Sequence, residues 1–308
     1  MCRLFGFRSV IPSQVHRSLV SADNALMMQS KKTQKHQDGW GVAYYVAGAP
    51  HIIKSPSNVI ESSLFRRVSG IVSSETVLAH LRHATQGNLS IVNTHPFQFG
   101  NWVFAQNGNI KNFPDIRELL IGQISPRLRR FILGESDSEV LFFLILSHIE
   151  RRIELHRPGT SIDVVAEGAR DAIREVCRFT GGFHPHDDGD NTETYLTFIL
   201  TNGTTMLAHH GGKDLFYSTY KEHCPERDLC PSFAKECESP TQSGFINHLI
   251  FSSEPLQGDN IWIKLEPGDM VGIDWRMQLH LFNEEGPVEL PSNPNTIPSL
   301  ELEPLVCG

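Results

Sequence analysis

A cysteine directly follows the first methionine in the opening stretch MCRLFGF. If Met1 is removed, Cys2 carries a thiol and a free α-amine on one carbon atom. The thiol is a nucleophile, and the amine, whose ordinary pKa is about 7.7–8.0, is a base near neutral pH. The alternative is a chance position among six cysteines, because one cysteine is weak evidence of catalysis.

Two charged side chains could hold the two ends of an amino acid. The alternation of TVLAHLRH (76–83) places His80 and Arg82 on one face of a strand. The fork of an arginine suits a carboxylate, although an ordinary ion pair explains Arg82 equally well. Asp137 follows Ser136 at the predicted start of a helix, where it either complements the helix dipole or receives an ammonium group.

Two glycine-containing stretches could line a pocket. AQNGN (105–109) ends a predicted strand, and Asn107 and Gly108 are consistent with either a turn or an oxyanion hole. In KHQDGWGV (35–42), two glycines flank Trp40. That stretch is consistent with a turn or with the wall of a pocket.

Six motifs follow one another along the chain: Cys2, DGWG, HLRHATQG, NTHPF, QNGN and ESDSE. Their order and spacing over roughly residues 2–150 resemble the glutaminase domain of the class II glutamine amidotransferases. The resemblance extends to small stand-alone members linked to γ-glutamyl peptide degradation and ergothioneine synthesis, whose sequences begin much like MCRLFGF. It implies an N-terminal-nucleophile hydrolase with a four-layer αββα sandwich.

The resemblance also implies a role for each matching residue. Cys2 would be the nucleophile that forms a thioester, and Asn107 and Gly108 would form the oxyanion hole. Arg82 would bind the α-carboxylate of a glutamyl substrate, and Asp137 would bind its α-ammonium group. The predicted activity is cleavage of the γ-amide bond of that substrate.

Three further residues would shape the pocket, namely Thr85, His95 and Trp40. His83 departs from the family pattern, in which an aromatic residue usually follows the arginine. The departure bears on how the pocket closes and leaves the predicted chemistry unchanged. The mechanism requires neither a metal nor a cofactor.

The substrate stays open between glutamine and a γ-glutamyl amide or peptide. Large members of the family carry a synthase domain that consumes ammonia, and the residues after 283 are too few for one. We therefore expect either a separate synthase subunit as a partner or water as the acceptor.

A cysteine-containing loop supplies the competing hypothesis of a non-enzymatic, zinc-stabilised interaction module. HCPERDLCPSFAKEC holds His223, Cys224, Cys230 and Cys237. The spacing is wider than that of zinc ribbons or fingers, which makes this the weaker hypothesis. HPHDDGD (184–190) could also bind a metal, but a solvated polar loop is the simpler interpretation.

Composition limits the classes of partner. The chain of 308 residues has a formal net charge of −8 and no basic run, which argues against nucleic acid or an anionic membrane. No stretch approaches the ~20 apolar residues of a membrane span. Sparse, unevenly spaced cysteines fit reduced thiols, so we expect a cytoplasmic protein.

The predicted elements indicate an α+β fold of two antiparallel sheets layered against helices. Residues 2–283 would form one domain, followed by a proline-rich tail at 284–308. The expected helices are 59–68, 136–150, 161–177 and one begun by Ser13 with Val15, Leu19, Ala22 and Leu26 on one face. The expected strands are 4–10, 41–47, 51–54, 76–83, 101–108, 215–220, 248–253, 260–265, 269–274 and 277–282, with a hairpin at 195–210 turning on Asn202-Gly203.

Overall fold

The computed structural model describes residues 2–22, 24–33, 38–83, 88–188, 192–283 and 285–288. Within these residues, two antiparallel β-sheets of seven strands each pack face to face. Helices cover the outer face of each sheet. The predicted four-layer αββα sandwich is confirmed.

The first sheet combines the amino-terminal strands with three later ones, in the order β11-β9-β10-β1-β4-β2-β3. Its strands are β1 (Arg3–Gln14), β2 (Trp40–Val46), β3 (Ala49–Ser55), β4 (Ser73–Leu81), β9 (Phe216–Ser218), β10 (His248–Ser252) and β11 (Ile263–Lys264). The long central strand β1 pairs with β4 on one side and β10 on the other.

The second sheet has the order β14-β13-β12-β8-β7-β6-β5. Its strands are β5 (Phe97–Phe99), β6 (Trp102–Asn109), β7 (Tyr195–Thr201), β8 (Met206–His209), β12 (Met270–Ile273), β13 (Leu279–Phe282) and β14 (Pro287–Val288). The predicted hairpin on Asn202-Gly203 is present between β7 and β8.

The helices divide between the two outer faces. Those of the first sheet are α1 (Leu26–Thr33) and α2 (Ser63–Ile71); those of the second are α3 (Phe113–Gln123), α4 (Pro126–Arg129), α5 (Asp137–Glu150) and α6 (Ile162–Thr180). α5 is buried almost all round because it lies between the sheet and neighbouring helices. Its uniformly apolar sequence correctly predicts this position.

A continuous apolar layer joins the two sheets. Leu4 of β1 and Leu78 of β4 meet Val103 and Ala105 of β6 and Ile199 of β7, and all five are fully buried. Each fully buried leucine or isoleucine contributes about 1.5–3 kcal/mol relative to an exposed one. This layer therefore determines which faces of β1 and β4 in the first sheet pack against β6 in the second sheet.

The predicted helix begun by Ser13 is wrong. β1 continues through Pro12 to Gln14, and a π-helical turn (Arg17–Ser21) and then α1 follow. The pairing register between β1 and β4 shifts between Arg8 and Ser13, and an irregularity of this kind accepts a proline that cannot donate to the ladder. The apolar periodicity correctly identified Val15 and Leu19 as buried but not the break between two short helices.

The helix α3 was not expected from the sequence. Only Phe113 and Leu120 are buried along it, so it lacks the apolar stripe that identifies an amphipathic helix. At the other end of the chain, β14 pairs with β13, and residues 289–308 lie outside the described part. The division at residue 284 stays a prediction. No helix in the described residues is long and apolar enough to cross a membrane.

Candidate active site

Cys2 lies immediately before β1, at one end of the sandwich. The pairing of Arg3 with Leu81 places Cys2 beside Arg82, one step beyond the ladder. Side chains alternate along a strand, so Cys2 shares the face of Leu4, which looks toward the second sheet. The same alternation from Leu78 puts His80 and Arg82 on that face, which confirms the predicted alternation of β4.

The backbone of His83 holds the thiol of Cys2. The His83 N–H donates to Sγ at 3.2 Å, and the thiol donates to the His83 carbonyl at 3.4 Å. Only 9% of Cys2 is exposed. Burial raises the pKa of the Cys2 thiol, while the His83 hydrogen bond and the Arg82 charge oppose the shift. A thiol whose pKa is raised stays protonated at neutral pH, and it would react as a nucleophile only with the help of a base.

Arg82 brings a buried positive charge to the thiol. Its backbone N–H donates to the Gly39 carbonyl at 2.8 Å, which ties the end of β4 to the DGWG segment. Burial lowers the pKa of Arg82, and the charges of Cys2, Asp38 and Asp137 counteract that effect. An arginine stays charged in proteins, so a fixed cation lies within electrostatic reach of both Cys2 and Asp137.

Asp137 is the first residue of α5, and only 2% of it is exposed. One carboxylate oxygen accepts the Ile110 N–H at 2.8 Å, and the other accepts the Ser138 N–H at 2.8 Å. Burial raises the pKa of Asp137, and these hydrogen bonds oppose the rise. The contact with Ile110 ties the start of α5 to the segment that follows β6.

Asn107 and Gly108 lie inside β6, opposite Thr197 and Leu196 of β7. The interpretation of Asn-Gly as a turn is therefore wrong. Asn107 shares the face of Val103 and Ala105, which looks toward the first sheet. A Cβ at Gly108 would lie 2.1 Å from the Tyr195 carbonyl oxygen, so the close approach of β7 requires this glycine.

Two buried histidines connect the sheets beside these residues. His80 Nε2 lies 3.1 Å from the Gln106 carbonyl oxygen, one residue before Asn107. The rings of His80 and His95 have centroids 4.1 Å apart. Burial holds the pKa of His95 well below its ordinary range, and the His80 ring and the cationic side chains of Arg82 and Lys54 act in the same direction. His95 is therefore neutral, and neither ring nitrogen has a hydrogen-bond partner within the described ranges.

The segment that carries His95 is held by residues that the sequence analysis missed. Lys54 Nζ donates to the Thr94 carbonyl at 2.7 Å and to the Pro96 carbonyl at 3.3 Å. A Cβ at Gly41 would lie 2.1 Å from the His95 carbonyl oxygen. Because these partners lie about 40 residues apart in sequence, no local pattern could have identified Lys54. The glycines of DGWG were a signal, because Gly39 has a φ of +132° and Gly41 allows the close approach of His95.

Comparison with known proteins places this arrangement in a family. The sequence profile described as "Glutamine amidotransferases class-II" matches residues 1–285. The chain is a class II glutamine amidotransferase. It is therefore an enzyme, and the resemblance seen in the six motifs is confirmed.

Individual relatives agree with this assignment. A Haemophilus influenzae protein provisionally named a glutamine amidotransferase is 27% identical over 281 residues, which is 88% of this chain and 83% of that protein. The gamma-glutamyl-hercynylcysteine sulfoxide hydrolase of Mycobacterium tuberculosis is 33% identical over 239 residues, which is 68% of this chain and 97% of that protein. A solved glutamine aminotransferase class-II domain protein from Silicibacter pomeroyi shares the fold, with a TM-score of 0.57 and 20% identity over 92% of this chain and 99% of that one.

Two predicted pocket residues of this amidotransferase differ in placement from the rest. Trp40 is fully buried and packs edge-on against Phe65 of α2, with ring centroids 5.1 Å apart. Trp40 lies opposite Leu81 in the β2–β4 pairing, and both side chains belong to the apolar cluster between the first sheet and its helices. Trp40 therefore faces away from the second sheet and could affect the pocket only through the backbone of β2. Thr85 lies outside the described residues. The predicted roles of Trp40, His95 and Thr85 stay predictions.

The zinc-stabilised, non-enzymatic module is wrong for this amidotransferase. No group of three metal-ligating side chains occurs within the described ranges, which include all of 221–247. Glu238 accepts the Cys224 N–H at 2.8 Å, and the Cys237 thiol accepts a hydrogen bond from Asn247 at 2.9 Å. In the 184–190 segment, Asp187 instead forms a 2.7 Å ion pair with the buried Lys213. The Cys237 thiol and the carboxylates of Glu238 and Asp187 therefore have protein partners.

Proposed function

We propose that this enzyme cleaves the γ-amide bond of glutamine or of a γ-glutamyl compound through a thioester on Cys2. One observation carries the proposal. A buried thiol, a buried cation and a buried carboxylate from three separate elements lie within electrostatic reach of one another, namely Cys2, Arg82 and Asp137. Taking charged groups out of water is costly unless each is paired, and a zwitterionic ligand supplies a partner for both.

The two charges match the head group of an α-amino acid. Arg82 binds the α-carboxylate with its fork, and Asp137 binds the α-ammonium group. Asp137 is already oriented by the N–H groups of Ile110 and Ser138. An ammonium group at this position stabilises the carboxylate against the burial that raises its pKa.

The chemistry is nucleophilic acyl transfer. With Met1 removed, the Cys2 amine takes the thiol proton, and the thiolate attacks the γ-carbonyl carbon. Asn107 and Gly108 donate to the resulting oxyanion. The amine then gives its proton to the leaving nitrogen as the C–N bond breaks, and a thioester remains. Water cleaves the thioester, releasing glutamate and restoring the thiol.

Two substrates have independent support. Membership of the class II glutamine amidotransferases favours glutamine, and the mycobacterial relative is named as a hydrolase of a γ-glutamyl compound. Both share the head group that Arg82 and Asp137 would bind. When glutamine is the substrate, the leaving group is ammonia, which is released into solution or passes to a separate synthase subunit.

The decisive experiment separates the thiol from the amine. Cys2→Ser should bind substrate but turn over far more slowly, because a hydroxyl is the weaker nucleophile at neutral pH. An uncleaved tag ahead of Met1 should abolish turnover while the protein stays folded, and the same tag after Gly308 should be harmless. Intact-mass measurement should show that active preparations lack Met1.

Assays should compare glutamine, glutathione and other γ-glutamyl compounds with the purified protein alone. Full activity from protein with a verified amino-terminal extension would contradict the amine as the base. Full activity from Cys2→Ser would remove Cys2 from the mechanism altogether.

A further inference from the structure

Cys2 lies outside the hydrogen-bonded ladder of the first sheet. The β1–β4 pairing starts at Arg3 with Leu81, and the β1–β10 pairing starts at Phe5 with Ser252. The first residues of a domain are poorly ordered unless they are tied down. The carbonyl of Cys2 therefore needs an attachment that the ladder does not supply.

Arg3 supplies that attachment. Its Nη1 donates to the Cys2 carbonyl at 3.3 Å, and its Nη2 donates to Glu254 Oε1 at 2.5 Å. The Arg3 side chain is 9% exposed and lies on the face of β1 opposite to the thiol. The planar guanidinium presents its donors to the two acceptors in a rigid fork, whereas the three donors of an ammonium group rotate on a flexible stem.

Glu254 is itself anchored to the same end of β1. The neighbouring Ser253 accepts the Leu4 N–H at 2.9 Å through its hydroxyl and donates its own N–H to the Leu4 carbonyl at 3.1 Å. Asn24 donates to Glu254 Oε2 at 3.4 Å and to the Pro255 carbonyl at 2.8 Å. The carboxylate of Glu254 is thus fixed relative to the start of the strand.

We propose that Arg3 and Glu254 are a positioning pair that fixes the backbone of Cys2 and so aims its thiol and amine at the substrate. The inference rests on the proposed role of Cys2 as the nucleophile. Arg3 and Glu254 touch no reacting atom, and they act through the Cys2 carbonyl. A displacement of about 1 Å at a reacting group can cost about 10²-fold in rate.

The same strand provides a matched control. Arg8 of β1 donates to Glu75 of β4 at 3.3 Å, and the two side chains are 7% and 49% exposed, against 9% and 36% for Arg3 and Glu254. Arg8 also donates to the backbone carbonyl of the adjacent Ser9. The two pairs are alike in burial and chemistry, but Arg8 lies six residues from Cys2.

The experiment compares Arg3→Lys and Glu254→Ala with Arg8→Lys and Glu75→Ala in the full chain. We expect the first two variants to lower kcat on a γ-glutamyl substrate by about 10–100-fold with KM changed by less than about 3-fold. The control variants should keep kcat within about 2-fold, with a similar change in Tm. Iodoacetamide should label Cys2 several-fold faster in Glu254→Ala than in Glu75→Ala, as measured by peptide mass spectrometry.

Equal kcat and equal Cys2 labelling in Glu254→Ala and Glu75→Ala would overturn the positioning pair. If Arg3→Lys does not fold, the comparison between Glu254→Ala and Glu75→Ala decides alone, because Glu254 is the more exposed member of its pair. Failure of the proposed function would give a different result from failure of the positioning pair, because Cys2→Ser would then keep full turnover. The labelling rates would still report whether Arg3 and Glu254 hold Cys2.

Discussion

The space between the two sheets changes character along the strands that line it. In its apolar half, Leu4, Leu78, Val103, Ala105 and Ile199 pack with no exposed surface. At its polar end, the same faces of β1, β4 and β6 carry Cys2, His80, Arg82 and Asn107, joined by His95 and Asp137. Both regions are almost fully buried, so the difference between them lies in chemistry rather than in exposure.

This difference predicts that stability depends mainly on one region and turnover mainly on the other. Apolar burial in the one half holds the sheets at a fixed distance. Buried polar groups at the other end weaken the packing unless they are satisfied. Changes in the apolar half should therefore act on folding, and changes at the polar end on turnover.

The largest effect is expected from the two buried charges. Arg82→Ala and Asp137→Ala should each lower kcat/KM on a γ-glutamyl substrate by on the order of 10²–10³, since each leaves a substrate charge unpaired in a buried site. Substrate analogues that lack the α-carboxylate or the α-amine should react comparably poorly with the unmodified enzyme. Steady-state kinetics on both sets checks this. Wild-type kcat/KM in both variants would show that neither residue recognises substrate.

Asn107→Ala should lower kcat by about 10²–10³, as the loss of one oxyanion donor typically does. Because Asn107 lies in the middle of the β6–β7 pairing, the backbone ladder should be preserved. Circular dichroism and thermal unfolding would confirm the fold. Unchanged turnover would remove Asn107 from the mechanism.

Leu78→Ala should lower stability and leave turnover nearly unchanged, which is the reverse of the effect expected for Asn107→Ala. Leu78 is fully buried between the sheets, so its truncation should lower the free energy of unfolding by about 2–5 kcal/mol. At a temperature where the variant is folded, kcat should stay within about 3-fold of the wild-type value. Urea unfolding followed by fluorescence, beside steady-state assays, tests both parts. A loss of kcat as large as that of Asn107→Ala would break the division between the two regions.

The last prediction concerns acid stability and leaves turnover aside. Burial lowers the pKa of His209, His210 and His248 from 6.5 to about 4 in each case. Between these values the unfolded chain binds more protons than the folded one, so the free energy of unfolding rises with pH there. Stability should thus fall as the pH is lowered from about 6.5 to about 4. Urea unfolding across this range measures the slope, and a flat profile would contradict the burial of neutral histidines.

In the elements that the sequence predicted well, the spacing of apolar residues directly reflects which faces of the element are buried. The uniformly apolar 136–150 stretch and the alternation of 76–83 both correspond to observed elements. The helix α3 was missed because it lacks an apolar stripe, and the break after β1 was missed because the apolar periodicity runs across it. Asn107-Gly108 illustrates another limit, since Asn-Gly favours a turn locally but the approach of β7 keeps it in a strand.

The sequence by itself determined the family, the layered fold and the identity of the candidate site residues, because motif order and hydrophobic periodicity are properties of the chain. Only the tertiary structure decided the contacts among them. The His83 backbone against the thiol, Lys54 on the segment of His95, and Arg3 with Glu254 all join residues far apart in sequence. Sheet register and packing bring such residues together, and neither leaves a local signal in the chain.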